Sequence, residues 1–204
     1  GTDLGVYRTT DGGLTWALGE GLATLSTHPV ALSPGGELLL AGAVDHGVYG
    51  SADGGESWLP LGLQGGGMNY AIPDVAISPD YANDRMLFAV RSSSVSIGAS
   101  IHRTMDGGAT WQQVYSTDYV GALALSPRYA DDRTVYAAGN SGRVVRSTDG
   151  GQTWGLVGNW PSGAYTGITR VALPPDCPEN GVVFAGGQGF WRLPPGATEW
   201  QLAS

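Results

Sequence analysis

An eight-residue segment repeated four times, a five-residue segment repeated in step with it, and a composition of 34 Gly, 12 Pro and 14% charged residues together predict an all-β protein. The spacing makes it a β-propeller of about five blades, because a repeat of roughly 40 to 50 residues holds four short strands. Disorder also raises glycine content, but 42% hydrophobic residues and seven Trp supply the apolar surface of a packed core.

The longer segment first reads Thr9-Thr10-Asp11-Gly12-Gly13-Leu14-Thr15-Trp16. It returns at Ser51 to Trp58, Thr104 to Trp111 and Ser147 to Trp154, with successive aspartates 42, 53 and 43 positions apart. A further 46 residues on, the register falls on Pro195, followed by Gly196 and Trp200, a copy that has lost its carboxylate and hydroxyls. Asp-Gly-Gly between two β-runs signals a hairpin, since glycine tolerates the positive φ that such turns require. Asp11, Asp53, Asp106 and Asp149 are therefore expected to accept backbone N–H groups within their turns. Trp16, Trp58, Trp111, Trp154 and Trp200 are expected to anchor the strand that follows. Paired-carboxylate catalysis would need the aspartates about 5 to 10 Å apart. One per blade places them far from each other, so no catalytic residue, metal site or cofactor is expected.

The shorter segment is Val30 to Pro34, Val75 to Pro79, Leu123 to Pro127 and Val171 to Pro175. Each copy precedes a β-rich run: Leu38 to Gly42, Met86 to Val90, Thr134 to Ala138 and Val182 to Gly186. With the strands before and after the Asp-Gly-Gly turn, these make strands A, B, C and D of one blade. Strand A repeats a small residue at its centre (Ala31, Ala76, Ala124, Ala172), which places it innermost, crowded against its equivalents. One domain over 1–204 is expected, with half a blade at 1–20 and blades at about 28–62, 73–116, 121–158 and 168–204.

A net charge of -8, with all ten basic residues Arg and scattered singly, argues against nucleic acid, which needs a concentrated basic face. The single Cys177 excludes an intramolecular disulfide. Apolar runs fall far short of the roughly 20 residues of a membrane helix, so no membrane insertion is expected. His28, His46 and His102 occupy three unrelated blade positions and do not form a metal motif.

The repeated segments resemble those of the Asp-box, or BNR-repeat, propellers: sialidases, xyloglucan-hydrolysing glycosidases, sortilin-type receptors and photosystem II assembly factors. The runs Ser78 to Arg85 and Ser126 to Arg133 look like the A to B connections of bacterial BNR-like, sialidase-like repeat proteins. Their Asp84, Arg85, Asp132 and Arg133 are read as turn residues, since they recur at equivalent loop positions. The resemblance implies the fold and an extracellular or cell-surface setting, while function sits elsewhere than the box. Sialidase chemistry needs an arginine triad, a Tyr-Glu pair and an acidic residue, and that set does not assemble from Glu20, Glu37, Glu56, Glu179 and Glu199. Xyloglucan hydrolysis is associated with two larger tandem propellers and a cleft between them.

The expected function is a non-catalytic interaction or structural module with a protein or glycan ligand. A glycoside hydrolase or carbohydrate-binding propeller is the alternative. Ligands of propellers engage the D to A and B to C loops, so departures from the repeat there are informative. Gln64 to Tyr70, Arg91 to Ser100 and Asn159 to Tyr165 depart most, and Tyr70, Arg91, Tyr119, Trp160 and Tyr165 are the candidate ligand-binding residues. No A and B strands accompany the first C to D hairpin. Strands of a longer chain, or of a second subunit in a self-assembling arrangement, are expected to cover that edge.

Overall fold

The computed structural model describes residues 1–204 apart from 24, 65–69, 94–97, 118–119, 140–141, 162–167, 178–180 and 204. Its described strands form one two-stranded and four four-stranded antiparallel sheets, each connected in up-and-down order. In the first sheet β1 (Tyr7–Arg8) pairs with β2 (Ala17–Leu18). The second comprises β3 (Thr27–Leu32), β4 (Leu39–Ala43), β5 (Gly47–Ser51) and β6 (Leu59–Gly62). The third holds β7 (Tyr70–Ile77), β8 (Leu87–Ser93), β9 (Ala99–Thr104) and β10 (Gln112–Thr117), with the helical turn α1 (Tyr81–Asp84) between β7 and β8. The fourth repeats that plan with β11 (Ala122–Leu125), α2 (Tyr129–Asp132), β12 (Val135–Ala138), β13 (Val144–Ser147) and β14 (Gly155–Leu156). The fifth is β15 (Arg170–Ala172), β16 (Val183–Gly186), β17 (Phe190–Leu193) and β18 (Gln201–Leu202).

The core is distributed over the seams between consecutive sheets rather than gathered in one place. Side chains alternate across a strand, so β8 sends Leu87 and Ala89 toward the second sheet and Phe88 and Val90 toward the fourth. All four are fully buried, which is why this strand reads as a continuous apolar run instead of alternating with polar residues. Tyr136, Val144, Val183 and Trp200 close the seam between the fourth and fifth sheets, and Val6, Leu22, Ala41 and Trp58 the seam between the first and second. The first strands of neighbouring four-stranded sheets meet, β3 on β7, β7 on β11 and β11 on β15, while the last strands β6, β14 and β18 are largely exposed. Asp74 ties two of the meeting strands together, accepting the Leu123 N–H at 2.8 Å.

Proline sets two irregularities. Pro29 in β3 and Pro73 in β7 fall inside the register shifts against β4 and β8, because a residue without an N–H is accommodated at a bulge. The Ser-Pro runs form the helical turns: Ser78 Oγ donates to Asp84 at 2.7 Å and Ser126 Oγ to Asp132 at 2.6 Å. Arg85 and Arg133 then end each turn in the left-handed region, at φ 52° and 51°. The third sheet differs most from expectation. Arg91 to Ser93 and Ala99 to Ser100 lie in paired strands, not in a loop, as does Tyr70. Longer strands thus account for much of the 53-residue interval between Asp53 and Asp106.

Candidate interaction site

The four aspartates each serve their own turn. Asp106 accepts the Thr104 hydroxyl at 2.6 Å, the Thr110 N–H at 2.9 Å and the Thr110 hydroxyl at 2.5 Å, while Gly108 N–H donates to Thr104 Oγ1. Asp53 does the same with Ser51 and Ser57, Asp11 with Thr9 and Thr15, and Asp149 with Ser147 and Thr153. Both glycines after each aspartate take positive φ, for example 75° at Gly107 and 102° at Gly108. These hydroxyl and N–H donors hold all four carboxyls well below the usual carboxylate range. Such carboxylates are poor proton donors and poor bases at neutral pH.

The tryptophans reach back toward the preceding sheet. Trp111 Nε1 donates to the Leu61 carbonyl at 2.7 Å and Trp200 Nε1 to the Val157 carbonyl at 3.0 Å. Trp58 is buried in its seam, and Trp154 instead donates to Gly151 of its own turn. Trp16 departs from the expected anchoring role: it is 61% exposed.

At the opposite ends of the strands, two of the candidate residues come together. Tyr70 pairs with Ser93 and Arg91 with Ser100, which puts Tyr70, Arg91, Ser100 and, two residues on, His102 on one face of the third sheet. The Arg91 guanidinium lies 3.9 Å from the Tyr70 ring centroid, a cation–π contact. Tyr70 is fixed from the second sheet. Its N–H donates to the Asp45 carboxylate and its carbonyl accepts the Asp45 N–H, each at 2.8 Å, with Asp45 at φ 61° in the β4 to β5 turn. Arg91 Nε is buried without a hydrogen-bond partner. His102, 7% exposed, shares a 2.9 Å hydrogen bond with Ser100 Oγ. Burial, then the Arg91 charge, push its imidazole down to about 4, so the ring is neutral at neutral pH.

The other candidates do not join them. Trp160 lies in the seam of the fourth and fifth sheets, stacked on Trp200 at 4.7 Å and edge-on to Trp191 at 5.4 Å. Its ring, half-buried, packs on its aromatic neighbours in that seam, apart from the Tyr70–Arg91 pair. Tyr119 and Tyr165 fall outside the described residues. His102, Ser100 and Asp45 were not legible as neighbours of Arg91, because the hairpin register that aligns them is not encoded locally. No group of three or more His, Cys, Asp or Glu gathers at metal-binding distance among the described residues.

No protein-family model matches the chain, and no curated protein matches it in sequence. Solved structures do match. The GH74 enzyme of Niastella koreensis covers 96% of this chain with 34% of its own, at TM-score 0.72 and 18% identity. The GH74 xyloglucanase from Xanthomonas campestris covers 93% with 33% of its own, at 0.70 and 15%. The fold is that of a β-propeller. A structure of YCF48 bound to D1 peptide covers 88% of this propeller chain with 54% of its own, at 0.62 and 17% identity. The chain thus spans about a third of the GH74 chains and about half of the YCF48 chain. At these identities the likeness concerns fold, and the propeller's function is argued from its own residues. No helix among the described residues is long and apolar enough to cross a membrane.

Proposed function

We propose that this chain is a non-catalytic interaction module, working outside the cell or at its surface, whose protein or glycan ligand engages the Tyr70–Arg91 end of the third sheet. The observation that carries the proposal is the arginine–tyrosine stack, 3.9 Å apart and fixed from the neighbouring sheet, with a buried Arg91 donor still unpartnered. A rigid aromatic beside a guanidinium offers apolar area and directional donors at low entropic cost. The turn aspartates, whose oxygens are occupied within their turns, favour binding over hydrolysis. One propeller of similar fold, YCF48, has been solved bound to D1 peptide, which supports a peptide as the ligand class to test first.

The test is binding of the purified chain to peptide and glycan arrays, with turnover assayed on the same glycans and light scattering to detect self-association. Arg91→Ala and Tyr70→Ala should each weaken a captured ligand by about tenfold, the loss of a charged hydrogen bond or its aromatic support. Glycan turnover, abolished by one carboxylate substitution, would replace this reading with a glycosidase.

A further inference from the structure

The seam between the third and fourth sheets opens into a groove of about 700 Å3, lined among others by Asp84, Met86, Arg103, Met105, Arg133 and Gln152. It lies at the Asp-Gly-Gly end of the strands, away from the Tyr70–Arg91 pair, and its reading is independent of the function proposed above. Three other seams carry the same position, and one of them shows what chemistry it takes.

Arg8, directly before the first hydroxyl of its repeat, meets Glu56 of the next turn at 2.6 Å and the Gly54 carbonyl at 3.5 Å. Arg103 occupies the same place two repeats later and meets the corresponding carbonyl, Gly150, at 2.7 Å. The residue matching Glu56 is now Gln152, whose amide turns away and donates to the Asp149 carbonyl at 2.9 Å. In the seam between these two, Gly50 replaces the arginine and Ala109 the glutamate, and Leu61 crowds the place where a Gly50 β-carbon would stand. The third-to-fourth seam therefore keeps an arginine where the matching carboxylate has become a neutral amide.

Hydrogen-bond inventory points the same way. The two lining carboxylates are already engaged: Asp84 accepts Ser78 Oγ and the Met86 N–H, and Asp149 accepts Ser147 Oγ and the Gln152 and Thr153 N–H groups. Donors remain. Arg103, 8% exposed, spends its terminal nitrogens on the Gly150 carbonyl and, at 3.3 Å, on Gln112 Oε1, but its Nε has no partner. Nor has the hydroxyl of fully buried Tyr129, 3.2 Å from where a Gly150 β-carbon would stand. Arg133 adds an accessible guanidinium, its side chain 43% exposed and held to Asp84 at 3.4 Å. Met86 and Met105 give an adaptable apolar wall beside it.

We propose that this groove is a carboxylate site, taking an acidic side chain of a peptide partner in the place that Glu56 fills in the first seam. Arg133 is the exposed contact, with Arg103 behind it. The planar guanidinium matches a carboxylate through paired N–H groups.

The experiment is a titration of the whole chain, followed by calorimetry and by the arginine Nε–H resonances in NMR. The ligands are an end-blocked Leu-Glu-Leu peptide, its Leu-Gln-Leu counterpart and inorganic phosphate. The glutamate peptide should bind and move the arginine signals, the glutamine peptide and phosphate should not, and Arg133→Met should weaken binding by about tenfold. Gln152→Glu should place an internal carboxylate in the site, raise the melting temperature and weaken the peptide by a similar factor of about ten. Because Gln152→Glu adds a pairing instead of removing one, it keeps the proposal testable if Arg133→Met fails to fold. Undiminished peptide binding to Gln152→Glu overturns the proposal. So does phosphate binding as tightly as the peptide, which marks an unspecialised anion patch, and so does a peptide that moves no arginine signal.

Discussion

His102 makes the stability of this chain depend on pH between neutrality and about pH 4. Its ring is 7% exposed and faces the Arg91 guanidinium, so the folded state resists protonation down to about pH 4, whereas an unfolded histidine takes its proton near pH 6.5. Unfolding therefore binds a proton throughout the interval, and stability is lost as pH falls through it. From those two values the loss is about 2 kcal/mol by pH 5 and about 3 kcal/mol by pH 4, relative to neutral pH. The four turn aspartates, held well below the usual carboxylate range, keep their charge in the folded state, so unfolding takes up protons on them as well toward the acid end of the window, a loss that does not involve His102. The assay is urea unfolding at pH 7, 6, 5 and 4.5 for the natural chain and for His102→Gln, which keeps a polar partner for Ser100 but cannot titrate. The natural chain should lose stability faster than the variant as pH falls, the gap closing by roughly 2 kcal/mol at pH 5. Parallel curves would refute the reasoning, since they would mean that His102 takes up its proton as readily folded as unfolded.

Three further outcomes are expected. Ile101→Ala, at a fully buried position in the seam of the third and fourth sheets, should cost about 2 to 5 kcal/mol in denaturant titrations, the range for a cavity in a closely packed core. Gly108→Ala should destabilise by about 1 to 3 kcal/mol, because φ is 102° there and a β-carbon would come within 2.9 Å of Leu61. Asp106→Ala should lower the melting midpoint by freeing the Thr110 N–H and the two threonine hydroxyls, while leaving ligand affinity at the Tyr70–Arg91 end unchanged. An unaltered midpoint would remove the turn-locking role.

Much of the candidate site was open to local reading, and its failures have physical causes. Tyr70 and Arg91 stand out because they break the repeat, and the structure stacks them. Trp160 breaks it equally, yet its ring lies in a seam with Trp191 and Trp200, since an aromatic near a sheet edge is drawn into whatever apolar surface the neighbouring sheet offers. Arg103 carries a sequence signal too, since arginine precedes the first hydroxyl in three of the four intact repeats, at Arg8, Arg103 and Arg146. That regularity is local. What it reaches is a carbonyl 47 residues away in the next sheet, and nothing local specifies it.

By itself the sequence determined the strands, the turns and the order of the sheets. Those depend on neighbouring residues: glycines that accept positive φ, aspartates that bond their own turn, prolines that force bulges, and apolar runs buried on both sides. Only the tertiary structure decided which faces meet. The seam between two sheets pairs residues tens of positions apart. Whether an arginine there finds a carboxylate, as Arg8 does, or only a carbonyl, as Arg103 does, depends on the offset between sheets, which is set by packing across the whole seam. The turn therefore belongs to the repeat, and the sites belong to the seams.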